Sequence, residues 1–188
     1  MKNKINENSL FFFKTRKFFD WIKTRKGRNY SNIEYEEDAT VKAYRDALTI
    51  FRRFVCDEKG WSVTSFTYED CNRDLILEYI RYLQQKNMKP STVNQRLAAL
   101  KSYLWFCSDD DISLQPLSIT ISRIPNVKEP KQIKERLSDD DLKLIFEAPG
   151  NNKTGVRDKA IMILLYDSAI RVSELIGLNI GDIHIDED

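Results

Sequence analysis

Residues 157–178 read RDKAIMILLYDSAIRVSELIGL, and the rest of the chain is best understood outward from them. Ala160, Ile161, Met162, Ile163, Leu164 and Leu165 are apolar without a break, so a helix over Val156–Ser168 is apolar nearly all round. A helix of that kind is expected to be buried on every side. The turn Ser168-Ala169-Ile170 follows, then a short helix from about Val172 to Ile176, with Gly177 in the position of a C-terminal stop. Arg171 and Glu174 stand three residues apart at the head of that helix. Taken alone, such a pair is far more often a surface ion pair than part of a site.

Immediately upstream, Ser138-x-x-Asp141 is a capping signal for a helix carrying Leu142, Ile145 and Phe146, which Pro149-Gly150 stops. Asp139, Asp140 and Asp141 fill its first turn, where the helix dipole favours acids. Downstream, Ile183-His184-Ile185 reads as the opening of a strand. An all-round apolar helix and an incipient strand need more cover than residues 135–188 supply, because so short a segment is near the lower limit for an independent domain. The segment therefore reads as the beginning of something larger. It is expected to be loosely held, with fast amide exchange even where residues 38–107 are protected.

The first two thirds of the chain are also helical in pattern. Val41, Tyr44, Leu48, Phe51 and Val55 recur at three- and four-residue steps, with Lys42, Arg45, Arg52 and Arg53 between them, predicting a helix over 38–57 closed by Gly60. A second helix is predicted over 70–86, with Ile76, Tyr79, Ile80 and Leu83 on one face. The third takes Ser91, after Pro90, as its N-cap and carries Val93, Leu97, Leu100 and Leu104 as a stripe that ends at Asp109–Asp111. Leu114–Ile124 predicts a short fourth helix broken by Pro116. With a first helix near residues 9–23, these make a helical domain over 1–125. Asn126–Lys134 (NVKEPKQIK) has no periodicity and reads as an exposed linker to a second domain over 135–188.

Composition narrows the function classes. Of 188 residues, 41% are hydrophobic and 31% charged, which suits a soluble globular protein. No apolar run approaches the roughly 20 residues of a membrane helix, and the polar start is no secretory signal. Cys56, Cys71 and Cys107 are scattered and lack a nearby histidine, as expected of reduced thiols in a cytoplasmic protein without a metal site. The net charge of +1 conceals an asymmetry. Residues 1–134 hold 24 Lys+Arg against 17 Asp+Glu, and residues 135–188 hold 6 against 12. The densest basic stretch, Lys14–Arg28, is interleaved with Phe18, Phe19, Trp21 and Ile22. By itself it fits a polyanion or a membrane surface equally well.

The order of residues 157–178 resembles the first catalytic box of the tyrosine recombinase (phage integrase) family: an Arg-Asp pair, a leucine-like run ending in Tyr, a small-residue turn, then Arg-(Ile/Val)-Ser-Glu-Leu. Asn179-Ile180-Gly181-Asp182-Ile183 fits the stretch that follows, and Arg136-Leu137-Ser138 with its acids is similar to the start of the catalytic domain. Further upstream, Thr40–Leu48 resembles the family's Thr-x-x-x-Tyr-x-x-x-Leu helix, and Ser91–Lys101 its other characteristic helix. The chain departs from the family at Ser168-Ala169-Ile170, where glycine is frequent.

The resemblance implies a mainly α chain: a helical, SAM-like core-binding domain followed by the incomplete, helix-rich start of an α/β catalytic domain. It implies double-stranded DNA at a recombination site as partner, together with other protomers in a tetrameric synapse. The family's reaction is strand transfer through a 3′-phosphotyrosyl intermediate, which conserves bond energy and needs neither ATP nor a metal. By the same resemblance Arg171 is the first active-site arginine and Glu174 orients it. Lys42, Arg45, Thr92, Gln95, Arg96 and Lys101 face DNA. Tyr166 is expected in the core, and His184 in a strand rather than in the family's His-x-x-Arg. Residues 1–188 lack the nucleophile and alone are expected not to cut DNA. The competing readings are a non-catalytic DNA-binding form that occupies the site or pairs with complete copies and, more remotely, a helical protein-binding adaptor.

Overall fold

Each stripe of apolar residues finds its helix. In the computed structural model, which describes residues 7–26, 39–130 and 136–182, the described residues divide into two compact units, residues 7–26 with 39–130 and residues 136–182. In the first unit α1 (Thr15–Lys26) is followed by α2 (Ala39–Arg53), which buries Val41, Ala47, Leu48 and Phe51. The chain then makes one wide π-type turn, Phe54–Glu58, and leaves it where Gly60 takes φ 71°. Glycine adopts that left-handed angle without a Cβ clash.

α3 (Arg73–Gln85) starts later than Asp70, because Asn72 is the cap: its Oδ1 accepts the Leu75 N–H at 2.9 Å. Asp70 instead closes the preceding turn, accepting from the Thr67 N–H and hydroxyl at 2.8 and 2.7 Å. Replacing Asn72 by alanine is expected to lower the stability of this unit by about 1 kcal/mol, read as a fall in its urea midpoint at unchanged slope.

α4 (Pro90–Asp110) begins on its proline, one residue before the expected cap Ser91. Proline has no N–H to leave unpaired in a first turn, and its φ is already helical. The same reasoning corrects Pro116, which lies in the first turn of α5 (Gln115–Ser122) and does not break it. α4 is the central element, packing against α1, α2, α3 and α5.

The residues before α1 are not helical as far back as residue 9. They form a short 3-10 turn, Glu7–Ser9, and one antiparallel bridge between Leu10 and Thr67. The Phe11 N–H donates to the Phe66 carbonyl at 3.0 Å, and the Tyr68 N–H to that of Ser9 at 3.0 Å. This pairing drives the Phe11 ring into the core, where its centroid lies 5.0–5.5 Å from those of Phe12, Phe51, Phe66, Tyr68 and Tyr103. The core's polar atoms are largely partnered. The Tyr103 hydroxyl donates to the Phe11 carbonyl, Tyr68 to Cys107 Sγ at 3.2 Å and Ser118 to the Leu104 carbonyl at 2.9 Å. Burial pushes the Cys71 and Cys107 thiols up, which keeps them protonated and inert.

The second unit opens with α6 (Asp139–Glu147). Ser138 Oγ accepts the Asp141 N–H and the Asp141 carboxylate accepts the Ser138 N–H, both at 3.1 Å, the reciprocal cap the sequence announces. The Ser138 hydroxyl and N–H hold the Asp141 carboxyl below the usual carboxylate range. α7 (Lys153–Ser168) starts three residues before the expected Val156, capped by Asn152 Oδ1 on the Gly155 N–H at 2.8 Å. Gly155 is buried against the Gly150 carbonyl, and a Cβ there would overlap it.

Among the described residues α7 is not buried on every side. Val156 is 62% exposed, Ile163 39% and Leu164 38%. The reason is cover: among the described residues, α6 is the helix packed on it. Tyr166, expected in the core, is 56% exposed, with its ring against Phe146 at 5.5 Å. α8 (Val172–Ile176) matches its predicted span, and Gly177 follows it at φ −81°, so this stop makes no use of glycine's freedom. No strand occurs among the described residues, which makes the chain mainly α. The expected strand Ile183–Ile185, His184 with it, and linker residues 131–134 lie outside them. No helix among the described residues is long and apolar enough to cross a membrane.

Candidate nucleic-acid interface and active-site arginine

The stripe Val93, Leu97, Leu100 and Leu104 is fully or almost fully buried, which fixes the opposite face of α4 outward. That face carries Ser91, Gln95 and Ala98, all exposed, and Ser102, partly exposed. Small side chains and one amide let another surface approach the helix closely. The expected contact residues are distributed unevenly around it. Gln95 points outward, Thr92 is half-buried, and Arg96, also half-buried, is turned so that its guanidinium meets the Met88 sulfur. Lys101 is turned further still: its Nζ donates to the Ile124 carbonyl at 2.6 Å, and desolvation pulls its pKa down. Sequence reasoning missed Ser91, Ala98 and Ser102, although positions three and four residues apart opposite the apolar stripe were enough to find them.

A second surface lies on α1 and α2. Lys42 and Arg45 are both exposed on α2, and the Arg45 guanidinium lies 5.6 Å from the Phe19 ring centroid. On α1, the residues three before and four after Phe19 are Arg16 and Lys23, both exposed. Helical spacing puts them on the same side as Phe19, so α1 and α2 form one basic edge. Cations on rigid helices suit phosphate contacts, which position a protein on a duplex, whereas an amide such as Gln95 suits a base edge.

In the second unit, Arg171 sits directly before α8. Its main-chain N–H donates to Glu174 Oε2 at 2.8 Å and its Nη1 to Glu174 Oε1 at 2.7 Å. One carboxylate thus fixes both the backbone and the guanidinium of the same arginine. The arginine side chain is 70% exposed, leaving most of its donors open to solvent. An exposed pair of this kind contributes well under about 1 kcal/mol to stability, so orientation is its main effect. The approach to Arg171 is tight: Ala169 adopts φ 51°, ψ 24°, the left-handed region. Ala169→Gly is expected to stabilise the second unit by about 1 kcal/mol, against the usual cost of glycine, read as a rise in its unfolding midpoint. Toward the other end of α7, Arg157 Nε and Nη2 donate to Asp158 Oδ1 at 3.0 and 2.7 Å.

Comparison with known proteins covers both units. The phage integrase N-terminal SAM-like domain matches residues 21–112, and the phage integrase family matches residues 135–188. Tyrosine recombinase XerD of Oceanobacillus iheyensis is 26% identical over 89% of this chain and 52% of its own length. Tyrosine recombinase XerC of Staphylococcus carnosus is 26% identical over 97% and 53%, and XerC of Roseiflexus castenholzii 30% identical over 79% and 46%. The chain spans about half the length of these curated relatives. No solved structure gives a significant match. With the phage integrase N-terminal SAM-like domain and the phage integrase family matched in that order, and relatives aligned across most of its length, this chain belongs to the tyrosine recombinase (phage integrase) family.

Proposed function

We propose that this chain is the DNA-binding portion of a site-specific recombinase together with the start of its catalytic domain. The observation that carries the reading is the outward face of α4, with Ser91, Gln95, Ala98 and Ser102 set against a buried apolar stripe. α2, with Lys42 and Arg45, packs beside α4. In this reading α4 lies in a major groove with Gln95 at a base edge, and Lys42 and Arg45 hold phosphates. Arg96 and Thr92 line the flank of the same helix. Lys101, held on the Ile124 carbonyl, contributes least.

Arg171 is the first arginine of the strand-transfer site. Its fork of donors spans two non-bridging phosphate oxygens, a geometry lysine cannot match. Glu174 is a positioning residue, holding that fork in place before substrate arrives, which is how charge on a reacting phosphate is stabilised without reorganisation. Strand transfer also needs a nucleophilic tyrosine and further cations, and we assign neither to the residues described. The partners are duplex DNA and further recombinase protomers.

Ala98→Glu tests the reading cleanly, since Ala98 is exposed on a helix that tolerates glutamate. The carboxylate would face phosphates, so duplex binding should weaken about tenfold or more while the thermal midpoint stays put. Unchanged binding would remove α4 from the interface.

A further inference from the structure

The segment after α5 is fastened to α4 by a side chain that belongs to neither unit's core. Asn94 Oδ1 accepts the Val127 N–H at 2.8 Å, and its Nδ2 donates to the Val127 carbonyl at 3.0 Å. The same Nδ2 donates to Glu129 Oε1 at 2.9 Å. One amide side chain thus satisfies both main-chain groups of a single residue, as a neighbouring strand would. The attachment is reinforced on both sides of the chain. Lys101, two turns along α4, holds the Ile124 carbonyl, Ile124 is 1% exposed, and Val127 packs against the core.

We infer that Asn94 is a clasp that fixes where the tether between the two units begins, moving that point from the end of α5 to Glu129. The consequence is one of length. From Glu129 to the α6 cap Ser138 the chain reaches at most about 30 Å, whereas from Ile124 it would reach about 50 Å. Residues 126–129, read in sequence as exposed linker, therefore act as part of the first unit. Asn94 is a positioning residue, and its place on α4 beside Gln95 puts the tether's origin on the element proposed to read DNA.

The test needs no DNA, so its failure is distinguishable from failure of the DNA-binding reading. Amide exchange of Val127 is followed by NMR in the 188-residue chain, with Leu97 and Leu104 as core references. Asn94→Ala should speed Val127 exchange by about tenfold or more and leave the references unchanged. Asn94→Asp keeps an acceptor for the Val127 N–H but sets a carboxylate oxygen against the Val127 carbonyl and the Glu129 carboxylate, so it should release Val127 as Asn94→Ala does. Val127 exchange indifferent to either substitution, or equal acceleration at Leu97 and Leu104, would overturn the clasp.

Discussion

Replacing Lys42 and Arg45 together by glutamate is expected to weaken duplex DNA binding by about 100-fold near 0.1 M salt. The estimate follows from counterion release. Each phosphate contact contributes a slope of about 0.9 in log affinity against log salt, hence roughly tenfold at that concentration, and reversing the charge adds repulsion. Both side chains are exposed on α2, so the fold has little to lose. The stack of Arg45 on Phe19 is a surface cation–π contact, and its loss should cost under about 1 kcal/mol. The two effects separate in the measurement: fluorescence anisotropy with a labelled duplex should show the large loss, and thermal unfolding almost none. A drop of less than threefold would place the DNA surface elsewhere.

The second large effect is on the fold. Phe11→Ala should cost about 3–5 kcal/mol, a substantial part of a domain stability that is commonly about 5–15 kcal/mol. Phe11 is fully buried and touches five aromatic rings drawn from four parts of the chain: its own neighbour, α2, the 66–68 segment and α4. Few side chains could collapse into the space, because the aromatic neighbours are themselves held by hydrogen bonds such as that of Tyr68 to Cys107. The Tyr103 hydroxyl keeps its acceptor, since that is the Phe11 main-chain carbonyl, so the loss isolates packing. Phe11→Leu, which fills much of the same volume, should cost less. A urea midpoint barely moved by Phe11→Ala would show that the segment before α1 is not part of the cooperative core.

What was legible in the sequence and what was not divide along a physical line. Helices whose apolar residues recur with a helical period were readable because that period is local: the α3 stripe is the buried set found, the α4 stripe is buried within a larger set, and of the α2 stripe only Tyr44 stays half-buried. Caps were readable where a single side chain closes a turn, as at Ser138, and helix starts were misplaced where a neighbour opens the helix instead, Pro90 one residue before the expected cap Ser91 and Asn72 as the cap two residues after Asp70. The burial of α7 was not legible at all. Its composition states what the helix can tolerate around it, while burial depends on which other residues reach it.

The candidate site shows the same division. The pairing of Arg171 with Glu174 is readable from their spacing and the outward direction of Gln95 from the apolar stripe, whereas their place in a site comes from the resemblance to the family. The inward turn of Lys101 and the bonds of Asn94 depend on the path the chain takes after α5, with partners 23 and 33 residues away, and no local signal announces them. Ala169 lies between these cases. The left-handed turn before Arg171 is foreshadowed by the glycine frequent there in the family, and this chain adopts it without one.

The most direct test of the central claim is a salt titration of duplex binding by the unmodified chain. If the basic edge of α1 and α2 holds at least three phosphates, log affinity should fall linearly with log salt at a slope of about −3 or steeper. A slope near zero, or no binding at any salt concentration, would contradict a DNA-binding role for the first unit.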